Sequence, residues 1–363
     1  MTDPVLSMGH LRSFALSRSL FKPTSLPKAL QRLGFVQADP LRAPARAQDL
    51  TLRHRVKNYR AGDLEAQYPR LEIEEDFFVN YGFVQRDLHH LMHPRTAGAL
   101  WSKSRMLQAQ DALAFVRERG TVRAAEVDAY FDLGQVTNWF GGKSKACTQL
   151  LDGMHYRGML RVARREGGQR IYAVREHQPS VLSPDAIMDK LLDLILTKYA
   201  PLPSASLAQL VSLLSGGVPQ WRDQRQAALQ RARLRLPSVT LDSTTWFWPE
   251  GEDPRNGRHE TDEQLRFLAP FDPVVWDRRR FELFWGWAYR FEAYTPAAKR
   301  VRGHYALPML WREQVIGWAN LSVKEAVLVS DLGFVASPPK EKAFARALEQ
   351  ELHRMSVFLG LSV

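Results

Sequence analysis

Apolar residues recur at helical spacing over residues 10–20 and 26–33, and Lys22, Pro23 and Pro27 punctuate the two runs. The same reasoning predicts a basic helix over 45–59 and a strand in the aromatic and β-branched run 77–84. Beyond residue 104 the pattern becomes more regular. Helices are expected over 106–118, 122–130 and 144–156, then strands over 159–164 and 170–174. Gly167 and Gly168 lie between those strands and supply the conformations a tight hairpin needs. Three helices followed by a hairpin is the order of a winged-helix domain. Residues 183–248 read as a second copy. A helix starts at Ser183 and Pro184 and runs to Tyr199, others cover 204–214 and 221–236, and a wing is formed by 238–241 and 244–248.

Residues 249–257 carry the turn formers of a linker. Strand-like runs at 281–287, 289–294, 304–311 and 314–321 then predict a small antiparallel β-barrel or curled sheet, closed by a helix over 340–358. The expected fold class is α+β, in four parts. Residues 1–103 form a winged-helix-like domain, 104–180 and 181–250 two further winged-helix domains, and 251–363 a barrel with a terminal helix.

Charge adds a partner to this picture. Fifty Lys and Arg against 39 Asp and Glu leave a net charge of +11, which calls for a polyanion, either nucleic acid or an anionic membrane surface. No apolar run reaches membrane-spanning length and the first residues lack a signal-peptide core, so a cytoplasmic protein without a membrane partner is expected. The single cysteine, Cys147, rules out an internal disulfide and reads as a small packed residue. Basic residues gather where a winged helix meets DNA. Lys143 and Lys145 start one third helix, Arg161, Arg164, Arg165 and Arg170 occupy its wing, and Arg222, Arg225, Arg231, Arg233 and Arg235 run along the other third helix. A solvated basic surface is the plainer alternative. His89 and His93 share a helical face and can ligate a metal. With no convincing carboxylate or cysteine nearby, a structural or phosphate-facing cluster is preferred, and neither metal nor cofactor is expected.

One stretch carries candidate chemistry. Gln37 and Asp39 flank Ala38, and Pro40 disfavours a helical Asp39, so an amide and a carboxylate would project to one side of an extended segment. Arg42, Arg46, Arg53, His54, Arg55 and Lys57 follow. Asp39 and Pro40 equally suit a helix start, with Asp39 as N-cap.

The run LGFVQADPLRAPARAQDLTLRHRV resembles the catalytic segment of the tandem winged-helix DNA glycosylases of the AlkZ/YcaQ type. There, Gln-aliphatic-Asp or Gln-aliphatic-Gln occupies this place. Alanine in the middle and Asp39 in third position are closer to the YcaQ branch. PFDPVVWDRRR and EAYTPAAKRVRGHYALPML, at 270–280 and 292–310, are similar to stretches of that family's C-terminal barrel, around which its winged helices are arranged. The resemblance covers nearly the whole chain. It implies excision of alkylated purines from double-stranded DNA, including N7-alkylguanines, bulky nitrogen-mustard adducts and interstrand crosslinks.

Hydrolysis of an N-glycosidic bond builds positive charge on the sugar. Asp39 can stabilise that cation and accept a proton from water, while Gln37 holds the water or the sugar-phosphate. No lysine adjoins the pair in sequence, so a monofunctional enzyme without Schiff-base chemistry is expected. Residues 294–305, with Lys299, Arg300, Arg302 and His304, are the candidate DNA-facing barrel loop, suited to wedge a duplex open around a tethered base. A monomer acting at the bacterial nucleoid fits these features. The competing reading is a winged-helix transcriptional regulator that binds DNA without altering it.

Overall fold

The computed structural model describes residues 5–95, 101–137, 142–176, 180–256 and 263–362. The chain divides into two compact units. One comprises Met1–Asp63, Leu191–Val211 and Ala227–Val363, the other Leu64–Lys190 and Ser212–Gln226.

In the first unit the helices Met8–Ser19 and Leu26–Leu33 lie where the spacing places them. Ser7 caps the first, its hydroxyl accepting from the His10 N–H. Gly34 stops the second at φ +67°, with its N–H on the Leu30 carbonyl, and the strand Phe35–Gln37 follows at once. The basic helix expected over 45–59 is much shorter, Ala47–Leu52. Beyond it the chain turns to meet the Thr24 backbone: the Thr24 N–H donates to the Arg55 carbonyl and the Lys57 N–H to the Thr24 carbonyl.

The C-terminal barrel does not form among the described residues. Leu265–Phe267, Leu307–Trp311, Gln314–Lys324 and Val327–Phe334 pair in that order as an open antiparallel sheet. Two of the expected strands are absent. Residues 278–285 form the helix Arg278–Trp285, because the Asp277 carboxylate accepts from the Arg279 and Arg280 N–H groups and caps it. Phe281, Phe284 and Trp285 then fall at helical spacing. Residues 289–294 are irregular. The terminal helix Lys342–Leu359 agrees with its sequence signal. One core cluster joins Leu16 and Leu20 to Leu268, Val275, Phe281, Tyr289 and Leu310. Another gathers Leu11 and Phe14 with Trp246 and Phe284, whose rings stack at 5.3 Å.

The second unit contains the hairpin Ile73–Phe77 and Tyr81–Gln85. It continues with the helix Lys103–Arg119, strand Thr121–Arg123, helices Ala124–Phe131 and Ala146–Tyr156, and the hairpin Leu160–Glu166 and Gln169–Val174. The short strand pairs with the second strand of that hairpin. Between residues 184 and 247 the chain repeats this order without the paired strands Gln135–Thr137 and Lys143–Lys145 that separate the last two helices of the first copy: helix Pro184–Tyr199, strand Leu202–Pro203, helices Ser204–Gly217 and Arg225–Arg235, and the hairpin Ser238–Leu241 and Thr244–Phe247. Again the short strand pairs with the second hairpin strand. The third helix expected over 221–236 starts later, since Trp221 leaves helical geometry at φ −115°.

Candidate active site

Gln37 closes its strand and Asp39 opens the turn beyond it; both side chains are nearly buried. No helix starts at Pro40, so Asp39 is not an N-cap. Its Oδ1 instead accepts from the Leu41 N–H at 2.8 Å, a local turn that fixes the carboxylate. Its own N–H donates to Oε1 of the buried Gln48 at 3.3 Å. Burial pushes the Asp39 carboxyl above its usual range, and the Leu41 N–H only partly offsets this. Gln37 Oε1 accepts from the indole N–H of Trp276 at 2.8 Å.

Trp276 belongs to the short helix Pro273–Trp276, which Asp272 caps by accepting from the Val274 N–H. Asp272 also takes a two-pronged ion pair from Arg55, at 2.8 and 2.9 Å, and both side chains are fully buried. Arg55 completes its valence on the Ser19 and Thr51 carbonyls. The segments around residues 37, 55 and 272 are thus one bonded assembly. Lys198 adds to it. Its buried ammonium donates to the Phe35 carbonyl, two residues before Gln37. Burial, reinforced by Arg55 and opposed by Asp272, pulls its pKa down to about 7. Nothing in the spacing of the sequence pointed to Lys198 or Trp276, since both reach the motif from distant segments.

Aromatic residues share the field of Asp39. Burial and then the Asp39 charge raise the pKa of Tyr294 and of Tyr305. Phe291 stands edge-on to Tyr305 at 5.2 Å and to Tyr294 at 6.0 Å. Tyr294 is exposed, whereas the buried Tyr305 hydroxyl has no hydrogen-bond partner among the described residues. The intervening loop is tied by Glu292, whose carboxylate accepts from the Val301 and Arg302 N–H groups. On this loop Lys299 and His304 are exposed, and Arg300 donates to the Thr295 carbonyl. Arg302 lies over the Trp287 and Trp318 rings, 5.1 and 5.6 Å from their centres.

The remaining basic candidates divide into exposed and committed groups. Arg42, Lys143 and Arg222 are exposed and Arg46 is half-buried. Lys143 and Lys145 stand on a strand just before the helix rather than within it, and Lys145 pairs with Asp128. Arg225 donates to the Ser212 and Arg222 carbonyls. On the hairpin, Arg164 pairs with Glu166, while Arg165 clamps the buried Glu75. Arg161 is held by Glu74 and Arg170 by Asp152 and Glu75. Arg161, Arg165 and Arg170 thus serve the buried carboxylates of their own unit, whereas the Arg164–Glu166 pair lies at the surface.

His89 and His93 do have a carboxylate, contrary to the sequence expectation: both Nε2 atoms meet Asp76 Oδ2, at 2.7 and 2.8 Å. It lies on the Ile73–Phe77 strand, in a register that composition does not reveal. Burial opposes its charge, but Arg95 and the two histidines outweigh it and hold the carboxyl well below its usual range. These three side chains have a ligand set that suits a metal ion. Yet Arg95 occupies Asp76 Oδ1 at 2.8 Å and Arg175 sits 3.1 Å from His89 Nδ1. Two guanidiniums beside the cluster disfavour a further cation, and hydrogen bonding explains the arrangement.

Comparison with known proteins bears on the family and the fold. A family model described as DNA glycosylase AlkZ-like matches residues 30–358. The solved structure of Streptomyces sahachiroi DNA glycosylase AlkZ is similar in fold, with a TM-score of 0.60 at 14% identity, over 99% of this chain and 98% of that one. Among the described residues no helix is long and apolar enough to cross a membrane.

Proposed function

The chain belongs to the AlkZ-like DNA glycosylase family, and on that premise we propose that it is a monofunctional glycosylase excising alkylated purines, N7-alkylguanines and their bulky or crosslinked forms among them. The observation that carries this reading is the pair Gln37 and Asp39. Asp39 is a carboxylate fixed by its own turn, and Gln37 is an amide oriented by Trp276. An N7-alkylated guanine already bears positive charge and departs without much protonation. The enzyme then needs a carboxylate to stabilise the sugar cation and take the water's proton, and an oriented amide to hold the water. Asp39 and Gln37 suit those roles. Lys198 supports the monofunctional assignment, because its amine is enclosed and committed to the Phe35 carbonyl.

The twice-repeated order of helix, strand, helix, helix and hairpin supports two winged-helix domains within 104–180 and 181–250. Arg42, Lys143, Arg222, Lys299 and His304, all exposed, are the foremost candidates for contacts to duplex DNA. The loop 294–305 remains the candidate wedge. Single-turnover excision on a duplex carrying N7-methylguanine, followed by strand cleavage at abasic sites, tests the proposal. Base release by the parent and its loss by ~100-fold or more in Asp39→Asn are expected, the scale of a positioned base. Duplex binding without base release would favour the regulator instead.

A further inference from the structure

A cavity of about 1000 Å³ lies in the first unit, lined by residues of the 17–32 and 53–60 segments and of the terminal helix Lys342–Leu359. Its volume is at the upper end for small-ligand pockets, roughly 300–1,000 Å³. None of the motif residues 37–48 lines it. Six basic side chains do, Lys22, Arg32, Arg53, Arg60, Arg266 and Arg354, and among the described residues no carboxylate lines it. Glu351, fully buried, takes up Arg53 at 2.7 Å and Arg354 at 2.9 Å. Arg32 lies over the Phe21 ring, 4.2 Å from its centre, and Tyr59 stacks on Phe358 to complete an apolar floor. Burial, then Arg53, hold the lining residue His54 well below its usual pKa, against the opposing hydrogen bond to the Phe267 carbonyl and with smaller contributions from Arg55 and Arg266.

A concave surface of cations over apolar rings, with Arg53 and Arg354 held by Glu351 and Arg32 and Arg60 at exposed positions, is complementary to an anion that carries an apolar ring of its own. We propose that this cavity binds a nucleotide unit, with Arg32 and Arg60 on its phosphate oxygens and its sugar and base against Leu20, Phe21 and Tyr59. The unit belongs either to a DNA strand or to a free nucleotide, and phosphate-ester recognition is common to both. This inference does not depend on base excision.

Calorimetric titration at low salt with pyrophosphate, adenosine triphosphate and a single-stranded decamer tests it. The parent is compared with Arg32→Ala/Arg60→Ala and with Lys342→Ala/Arg346→Ala, which removes equal charge from exposed positions outside the cavity. The triphosphate or the decamer should bind the parent and weaken by ~10-fold or more in the first variant, the scale of two lost charge-assisted hydrogen bonds. The control should stay near the parent. Triphosphate binding alone assigns a free nucleotide; decamer binding displaced by the triphosphate assigns a strand. Binding of pyrophosphate only, binding of no probe, or equal weakening in both variants would overturn the proposal. Excision of N7-methylguanine, measured on the same proteins, separates failure here from failure of the glycosylase reading.

Discussion

The Trp276 indole N–H donates to Gln37 Oε1 at 2.8 Å, joining residues 239 positions apart. With its oxygen occupied as acceptor, the amide offers its NH₂ hydrogens to a water or a phosphate oxygen. The orientation of the candidate amide therefore rests on a tryptophan from another part of the chain.

Trp276→Phe should keep the ring contact with Tyr199, now 5.0 Å between centres, and lose only the hydrogen bond. Single-turnover excision should fall ~10-fold, the equivalent of one lost hydrogen bond. Combined with Gln37→Ala the loss should be less than additive, because both changes remove one interaction.

Asp39→Asn carries an opposite expectation for stability. The folded-state pKa of Asp39 is raised by burial, so the folded protein binds the proton more tightly than the unfolded chain. Stability attributable to Asp39 is therefore lost as pH rises through that window, and at neutral pH the ionised form is a liability. Asp39→Asn should unfold in urea at the same or a higher midpoint at pH 7.5 while excision collapses. In the parent, excision should climb with pH as Asp39 ionises and then level off. A lowered midpoint would identify Asp39 as a structural residue.

Lys198 sets a second pH window. Its folded pKa of about 7 lies below the ordinary lysine value of 10.5, so the unfolded chain binds more protons between these limits. Stability should rise with pH across that window, by up to ~1.4 kcal/mol per pH unit. Urea melts at pH 7.5 and 9.5 should show this slope in the parent and a smaller one in Lys198→Met.

Two arginine changes should separate scaffold from DNA surface. Arg165→Gln strips the buried Glu75 of its nearest cation and should cost about 3 kcal/mol, read as a lower unfolding midpoint. Arg222→Ala should leave the midpoint nearly unchanged and weaken binding alike on all duplexes. If that side chain reaches a phosphate, the slope of log affinity against log salt should shrink by about 0.9.

Much of this architecture is readable from local signals. Breaks at proline and glycine bound the helices Met8–Ser19, Leu26–Leu33 and Lys342–Leu359, and the Gly167-Gly168 turn marks its hairpin. Composition misleads at Phe281–Trp285, where aromatic content suggests a strand and the Asp277 cap makes a helix. The strand Val327–Phe334 escapes notice because its sequence does not alternate apolar and polar residues: exposed positions are taken by Val327 and Val329, while Ser330 is half-buried. The motif at Gln37 and Asp39 is visible in sequence, but its supports are not. Trp276, Lys198 and Asp272 arrive through tertiary contacts that no local pattern encodes, and the same holds for Asp76 beneath its two histidines.

The Arg55–Asp272 pair has a temporal consequence. During synthesis the segment bearing Gln37, Asp39 and Arg55 emerges more than two hundred residues ahead of Asp272 and Trp276. Until those residues follow, Arg55 has no counter-ion and the Gln37 amide no anchor. A nascent or truncated chain ending before residue 272 would hold both motif residues without the means to aim them, so competence for base release would be acquired only late in translation.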